Sequence, residues 1–121
     1  MNKKMNILKN KNGTAILLTL FLLSGMLVVV LSAASIIVSG IKMSRTQTQS
    51  TKAFFAAEAG AERALWEIRK NAAGSANFSA TLDNGSNYLV ESGVNGAEMT
   101  VTSAGLYMGA RRTVEVSFQF E

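Results

Sequence analysis

The sequence predicts an α+β fold: one long N-terminal helix, membrane-spanning in its first half and amphipathic in its second, packed on a small antiparallel β-meander of three or four strands. Three observations carry this expectation. Residues 14–41 contain no charged side chain. Between Phe54 and Ile68 apolar residues recur every three or four positions, the period of a helix. Beyond Gly74 the period shortens to two, with glycine-containing turn sequences between the runs.

With 121 residues the chain has room for one small domain and a tail, not for two cores. It has no His, Cys or Pro. Histidine- and cysteine-based nucleophile systems are therefore excluded, as are the usual zinc, haem and iron–sulfur ligand sets. No cofactor is expected, and disulfides are impossible. The 12 Lys+Arg outnumber the 8 Asp+Glu, for a formal +4 and a pI near 9.7. Taken whole, that excess points toward a polyanion or an anionic membrane. Its location argues otherwise. Lys3, Lys4, Lys9 and Lys11 supply all of it, and from Lys42 onward eight bases balance eight acids.

The elements follow in order. Residues 1–13 are a short basic segment ending in Gly13. Residues 14–41 form an uncharged run of 28 residues. At 1.5 Å per residue such a helix reaches roughly 42 Å, beyond the ~30 Å hydrocarbon layer of a bilayer. The four lysines ahead of it predict a single-pass orientation with the N-terminus in the cytoplasm. Three readings of this N-terminus compete. It can be a plain signal anchor. It can be a secretory signal cut near Ser32-Ala33-Ala34, although the apolar run continues through Ile36, Ile37 and Val38. Or the cut can fall ahead of the apolar run.

Residues 42–73 are assigned to the second half of the same helix, which is expected to run from about Thr14 to Asn71. The stretch 42–52 is polar nearly all round and needs neighbours. Phe54, Ala57, Ala61, Leu65 and Ile68 then line one face, while Glu58, Glu62, Arg69 and Lys70 take another. Phe54, Phe55 and Trp66 are expected to be core contacts against the sheet, and Glu58 either a solvated carboxylate or a filament contact. Residues 74–121 form the sheet, with strands at 77–82, 87–94, 97–107 and 110–120. Turns fall at Asp83-Asn84-Gly85, Asn95-Gly96 and Met108-Gly109, Asn-Gly being a strong hairpin signal. In the last strand Val114, Val116, Phe118 and Phe120 alternate with Thr113, Glu115, Ser117 and Gln119, so one face should pack on the helix.

Two segments carry a resemblance. The leader Lys9-Asn10-Lys11-Asn12-Gly13, followed at once by the apolar run, resembles the class III leader of type IV pilins and of the pseudopilins of type II secretion. The segment from Ala53 to Leu65, AFFAAEAGAERAL, is similar to the AxxAAEAGxxxAL stretch of PilX-type minor pilins. The likeness covers residues 5–70 and is only compositional over 76–121. It implies a pilin-like fold, cleavage between Gly13 and Thr14 by a prepilin peptidase docked on the basic leader, and methylation of the new amine on Thr14. Two positions depart from the family pattern. Thr14 stands where Phe is usual, and Leu18 stands where major pilins carry a glutamate thought to pair with a neighbour's amine. The second departure favours a minor subunit over the main filament builder. Leu18, Gly25, Phe54, Glu58 and Gly60 are the residues this resemblance offers for subunit packing and assembly.

The resemblance implies a structural subunit with no chemistry of its own. Its partners would be other pilin subunits, a prepilin peptidase and the assembly platform in the cytoplasmic membrane, and it would end in an extracellular filament. A second hypothesis is a filament-displayed adhesive or DNA-capturing module, with Arg111-Arg112 the only exposed basic pair of the sheet region. A plain signal-anchored surface protein is a third. An enzyme is not expected, because the eight acids form no recognisable paired motif. Direct nucleic-acid binding is disfavoured too: cleavage after Gly13 would remove all four excess charges.

Overall fold

The computed structural model describes residues 2–71 and 74–119, with side chains from Lys11 onward. The first element is a single helix, α1 (Asn2–Asn71). It begins earlier than the sequence predicts, because nothing between Asn2 and Thr14 stops it. The chain has no proline, and one helical glycine at Gly13 costs only about 1 kcal/mol. Arg69 and Lys70 occupy its last turn, where cations are favourable at the negative end of the helix dipole.

The chain divides into two compact units, Met1–Lys42 and Met43–Glu121. The described residues of the first are all helical, and each of its described side chains is exposed. The second combines the remaining helical segment with four strands: β1 (Phe78–Thr81), β2 (Asn87–Asn95), β3 (Glu98–Tyr107) and β4 (Ala110–Gln119). They form one antiparallel sheet in sequential order, the expected meander in its four-stranded form. Phe120, expected inside the last strand, lies outside the described residues.

Turn chemistry sets the register. At the first turn Leu82 donates to the Ser86 carbonyl at 2.8 Å and Gly85 to that of Leu82 at 2.9 Å. The Asn84 side chain accepts from the Ser86 amide at 2.9 Å, an Asx-type closure. At the second turn Asn95 pairs with Glu98, so the two turn residues are Gly96 and Ala97, not Asn-Gly. Gly96, at φ 67°, takes the first central position that a type II′ turn gives to glycine. The third turn has Met108 at φ 45° and Gly109 at φ 84°, the double positive φ of a type I′ turn.

Strand alternation gives the sheet one buried face. Tyr88, Val90, Met99, Val101 and Ser103 point into it and are nearly or fully buried. On β4, Val114, Val116 and Phe118 point the same way but stay half-buried. The helix covers this face with its smallest residues: Ala53, Ala56, Ala57, Gly60, Ala61 and Ala64, with Ile68 at the end, are buried. The expected use of large aromatics is therefore reversed. Phe54, Phe55 and Trp66 are 43%, 59% and 54% exposed, on the side away from the sheet. Close approach of a helix to a sheet requires side chains that do not hold the two backbones apart, and alanine and glycine meet that requirement where phenylalanine cannot.

Candidate functional site

The apolar segment comes first. It is long and apolar enough to cross a membrane, and near the N-terminus, so it is compatible with a single-pass anchor. Large apolar side chains stand exposed around it: Leu18 is 61% exposed and Phe21 76%. Thr19 donates its hydroxyl to the Ile16 and Ala15 carbonyls at 2.8 and 3.1 Å, and Ser32 donates to that of Val28 at 2.8 Å. These hydroxyls thus find partners inside the helix and make no demand on an apolar surrounding. Gly25 floors a shallow apolar groove lined by Phe21, Leu22, Met26, Val29 and Val30, and no atom of the chain lies within 4 Å of where its side chain would begin.

Gly13 and Thr14 lie within α1 and are exposed, as is Lys11. The side chains of Lys3, Lys4 and Lys9 lie outside the described residues.

The end of the polar band, from Gln49 to Lys52, is tied to the last hairpin. Arg112 donates through Nε to Ser50 Oγ at 2.6 Å. Lys52 Nζ donates to the Tyr107 hydroxyl at 3.2 Å and lies 4.6 Å from the ring centre. Gln49 reaches the Met108 sulfur at 3.9 Å. Gln49, Ser50 and Lys52 therefore have the neighbours that the composition of this stretch requires, while residues 43–48 stay exposed. Arg111 and Arg112 are consecutive in β4 and so take opposite faces, Arg112 toward the helix and Arg111 away from it. They do not make a basic patch.

The AAEAG segment is split between inside and outside. Ala56, Ala57 and Gly60 are buried against the chain's own sheet, while Glu58 and Phe54 are exposed. A side chain at Gly60 would collide with Ser103 Oγ and the Tyr88 ring. Across the interface, a side chain at Gly105 would run into the Ala53 carbonyl and the Ala57 amide. Gly60, expected at a subunit contact, thus has an internal contact to make. Phe54, Glu58, Leu18 and Gly25 all face outward.

Beside Gly60, Arg63 donates to the Tyr88 hydroxyl at 3.0 Å and stacks 5.0 Å from the Phe78 ring centre. Phe78 and Tyr88 meet edge-on at 6.1 Å. The Tyr88 hydrogen bond pushes the Arg63 guanidinium above its ordinary pKa, and the Glu67 carboxylate adds to the effect. Arg63 is therefore charged at every working pH. None of Gly105, Ser103, Tyr88 or Arg63 was marked by the sequence. Their importance comes from cross-element contact, which no linear spacing encodes.

Among the described residues no group of three or more acids, histidines or cysteines could hold a metal ion. Comparison with protein-family models, curated proteins and solved structures finds no match to the chain.

Proposed function

We propose that the chain is a pilin-like structural subunit of a type IV pilus or related secretion filament, a minor subunit processed by prepilin peptidase and polymerised through its apolar helix. The observation that carries the reading is a lysine-rich leader ending at Gly13, directly joined to a 28-residue uncharged helical run that its own chain leaves exposed on all sides. Such a surface requires lipid before assembly and other apolar helices afterwards. Small residues at Gly25, Ser32, Ala33 and Ala34 allow neighbouring helices to approach closely. Leu18 offers no carboxylate to a neighbour's amine, which fits a minor role. The subunit performs no catalysis. Its place is the cytoplasmic membrane first and the extracellular filament after, with prepilin peptidase, an assembly platform and other pilin subunits as partners. In this reading the four excess charges leave with the leader, so nucleic acid is not expected as a direct partner.

N-terminal sequencing and mass spectrometry of the protein from a cell with an intact pilus system test this. The expected mature chain begins at Thr14 with a methylated amine, and at Met1 when the peptidase is deleted. A chain beginning at Met1 in both cells is a plain signal anchor, and one beginning at Ser35 is a cleaved secretory protein. Either result overturns the proposal.

A further inference from the structure

Three Asn-Gly pairs occur in the chain: Asn12-Gly13, Asn84-Gly85 and Asn95-Gly96. This dipeptide carries a reaction of its own. The glycine nitrogen can attack the asparagine side-chain carbonyl, and no Cβ on the glycine stands in the way. Whether it does so depends on what the nitrogen and the side chain already hold. The three pairs sit in three different settings.

Asn12-Gly13 lies inside α1, where a helical amide donates to the carbonyl four residues back. The informative comparison is between the two sheet turns. At Asn84-Gly85 both reacting groups are held. The Gly85 amide donates to the Leu82 carbonyl at 2.9 Å. The Asn84 side-chain oxygen accepts from the Ser86 amide at 2.9 Å and from its hydroxyl at 2.5 Å, and Ser86 is fully buried. A Gly85 nitrogen that lost its proton would lose that bond and be left facing a carbonyl oxygen. Asn95-Gly96 has none of these ties. Asn95 is exposed, and its side chain makes no hydrogen bond among the described residues. Gly96 opens its turn at φ 67°, and its amide has no backbone acceptor among the described residues. Residues 93–98 are exposed throughout, so the last pairs of this hairpin can open without uncovering the core.

We infer that Asn95 is a site of spontaneous modification, for which the chain supplies the nucleophile and water is the one co-reactant. The Gly96 nitrogen gives up its proton and forms a bond to Asn95 Cγ. The bond from Cγ to Nδ2 breaks, and Nδ2 leaves as ammonia carrying the equivalent of that proton. What remains is a five-membered succinimide. Water then adds to one of its two carbonyls. Reopening between Cγ and the nitrogen leaves aspartate. Reopening between the Asn95 backbone carbonyl carbon and the nitrogen leaves isoaspartate, with the main chain rerouted through Cβ and Cγ. In sum, one side-chain amide and one water give one carboxylate and one ammonium ion.

The register gives this change a consequence. Asn95 pairs directly with Glu98, so the new carboxylate stands opposite an existing one. Like charges directly opposite in an antiparallel pair are destabilising. Isoaspartate also lengthens the main chain beside a two-residue turn whose geometry fixes the pairing. Either product loosens the end of the β2–β3 hairpin.

The test holds the full-length chain, purified in detergent, in mildly alkaline buffer and follows it by peptide mass spectrometry. The expected result is a gain of about 1 Da at Asn95, with isoaspartate among the products. It should proceed about tenfold or more faster than at Asn84. In denaturant, where both turns are gone, the two sites should convert at similar rates. Conversion of Asn84 as fast as Asn95 in the folded chain overturns the inference. So does an Asn95 that stays intact while the denatured chain converts. Asn95→Asp reads the consequence separately: amide exchange across the β2–β3 hairpin should quicken several-fold, and adding Glu98→Gln should slow it again. Exchange unchanged by Asn95→Asp, or not slowed by Glu98→Gln, overturns the charge-pairing half of the inference.

Discussion

The two segments of α1 use the same residue types in opposite ways. Before Lys42, large side chains such as Phe21 and Leu27 stand outward all round, 76% and 60% exposed, and Gly25 has open space above it. After Met43, alanines and Gly60 are buried against strands, and the aromatics are left outside. In the second segment the small residues already have the neighbour that their size admits. In the first they have none within the chain. Smallness on a helix is therefore a statement about close approach, and the location of the approaching partner decides whether it serves folding or association. The sheet-bearing unit holds itself together, and the apolar segment depends on its surroundings.

Paired substitutions break or sharpen that contrast, read by chemical denaturation of the detergent-solubilised full chain with tyrosine near-ultraviolet circular dichroism. The largest effect is expected from Gly105→Val, which forces the helix off the sheet at Ala53 and Ala57 and costs about 3 kcal/mol or more. Gly25→Val, with nothing in reach, should leave the midpoint unchanged and act only on association of apolar segments. Next is Met99→Ala, which empties a fully buried position and destabilises by about 3 kcal/mol, against no change for Met26→Ala. Equal effects within either pair would refute the division. Ser103 comes third: its hydroxyl is fully buried with no hydrogen-bond partner among the described residues, so Ser103→Ala should stabilise by about 1 kcal/mol. The smallest shift belongs to Met108, a non-glycine residue in the left-handed region. Met108→Asn should raise stability by about 0.5 kcal/mol, since asparagine tolerates that conformation better.

The broad architecture was legible because it depends on periodicity. An uncharged run of 28 residues, alternation from Val114 to Phe118 and glycines at the turns are one-dimensional signals, and each became the element it announced. The helix starts earlier than Thr14: residues 1–13 read as a leader separate from the helix, while one glycine is too weak to interrupt a helix otherwise free of breakers. The buried helical face was only half read. Ala57, Ala61 and Ile68 were assigned correctly, but Phe54 was put with them because hydrophobicity weights large side chains. The stripe Ala53, Ala57, Ala61, with Ala56, Gly60 and Ala64 beside it, was present at helical spacing. Its meaning required knowing that Gly105, 45 positions beyond Gly60, would come up against it. For the candidate assembly surface, the sequence placed Leu18, Gly25 and Glu58 where they remain exposed. It had no means of distinguishing Gly60, whose contact is made by a strand.

The joint at Gly60 and Gly105 has a mechanical consequence. A plain strip of alanines is smooth, and a sheet resting on it could slip along the helix by a turn with little change in buried area. The two glycines act as notches. One receives Ser103 and the Tyr88 ring, the other receives the helix backbone at Ala53 and Ala57, and a slip in either direction would drive a side chain into one of them. Tension applied along the helix axis would then be resisted by interlocking shape and not by individual bonds that yield one at a time. A force-bearing joint of this kind should hold stiffly up to a threshold and then release all at once.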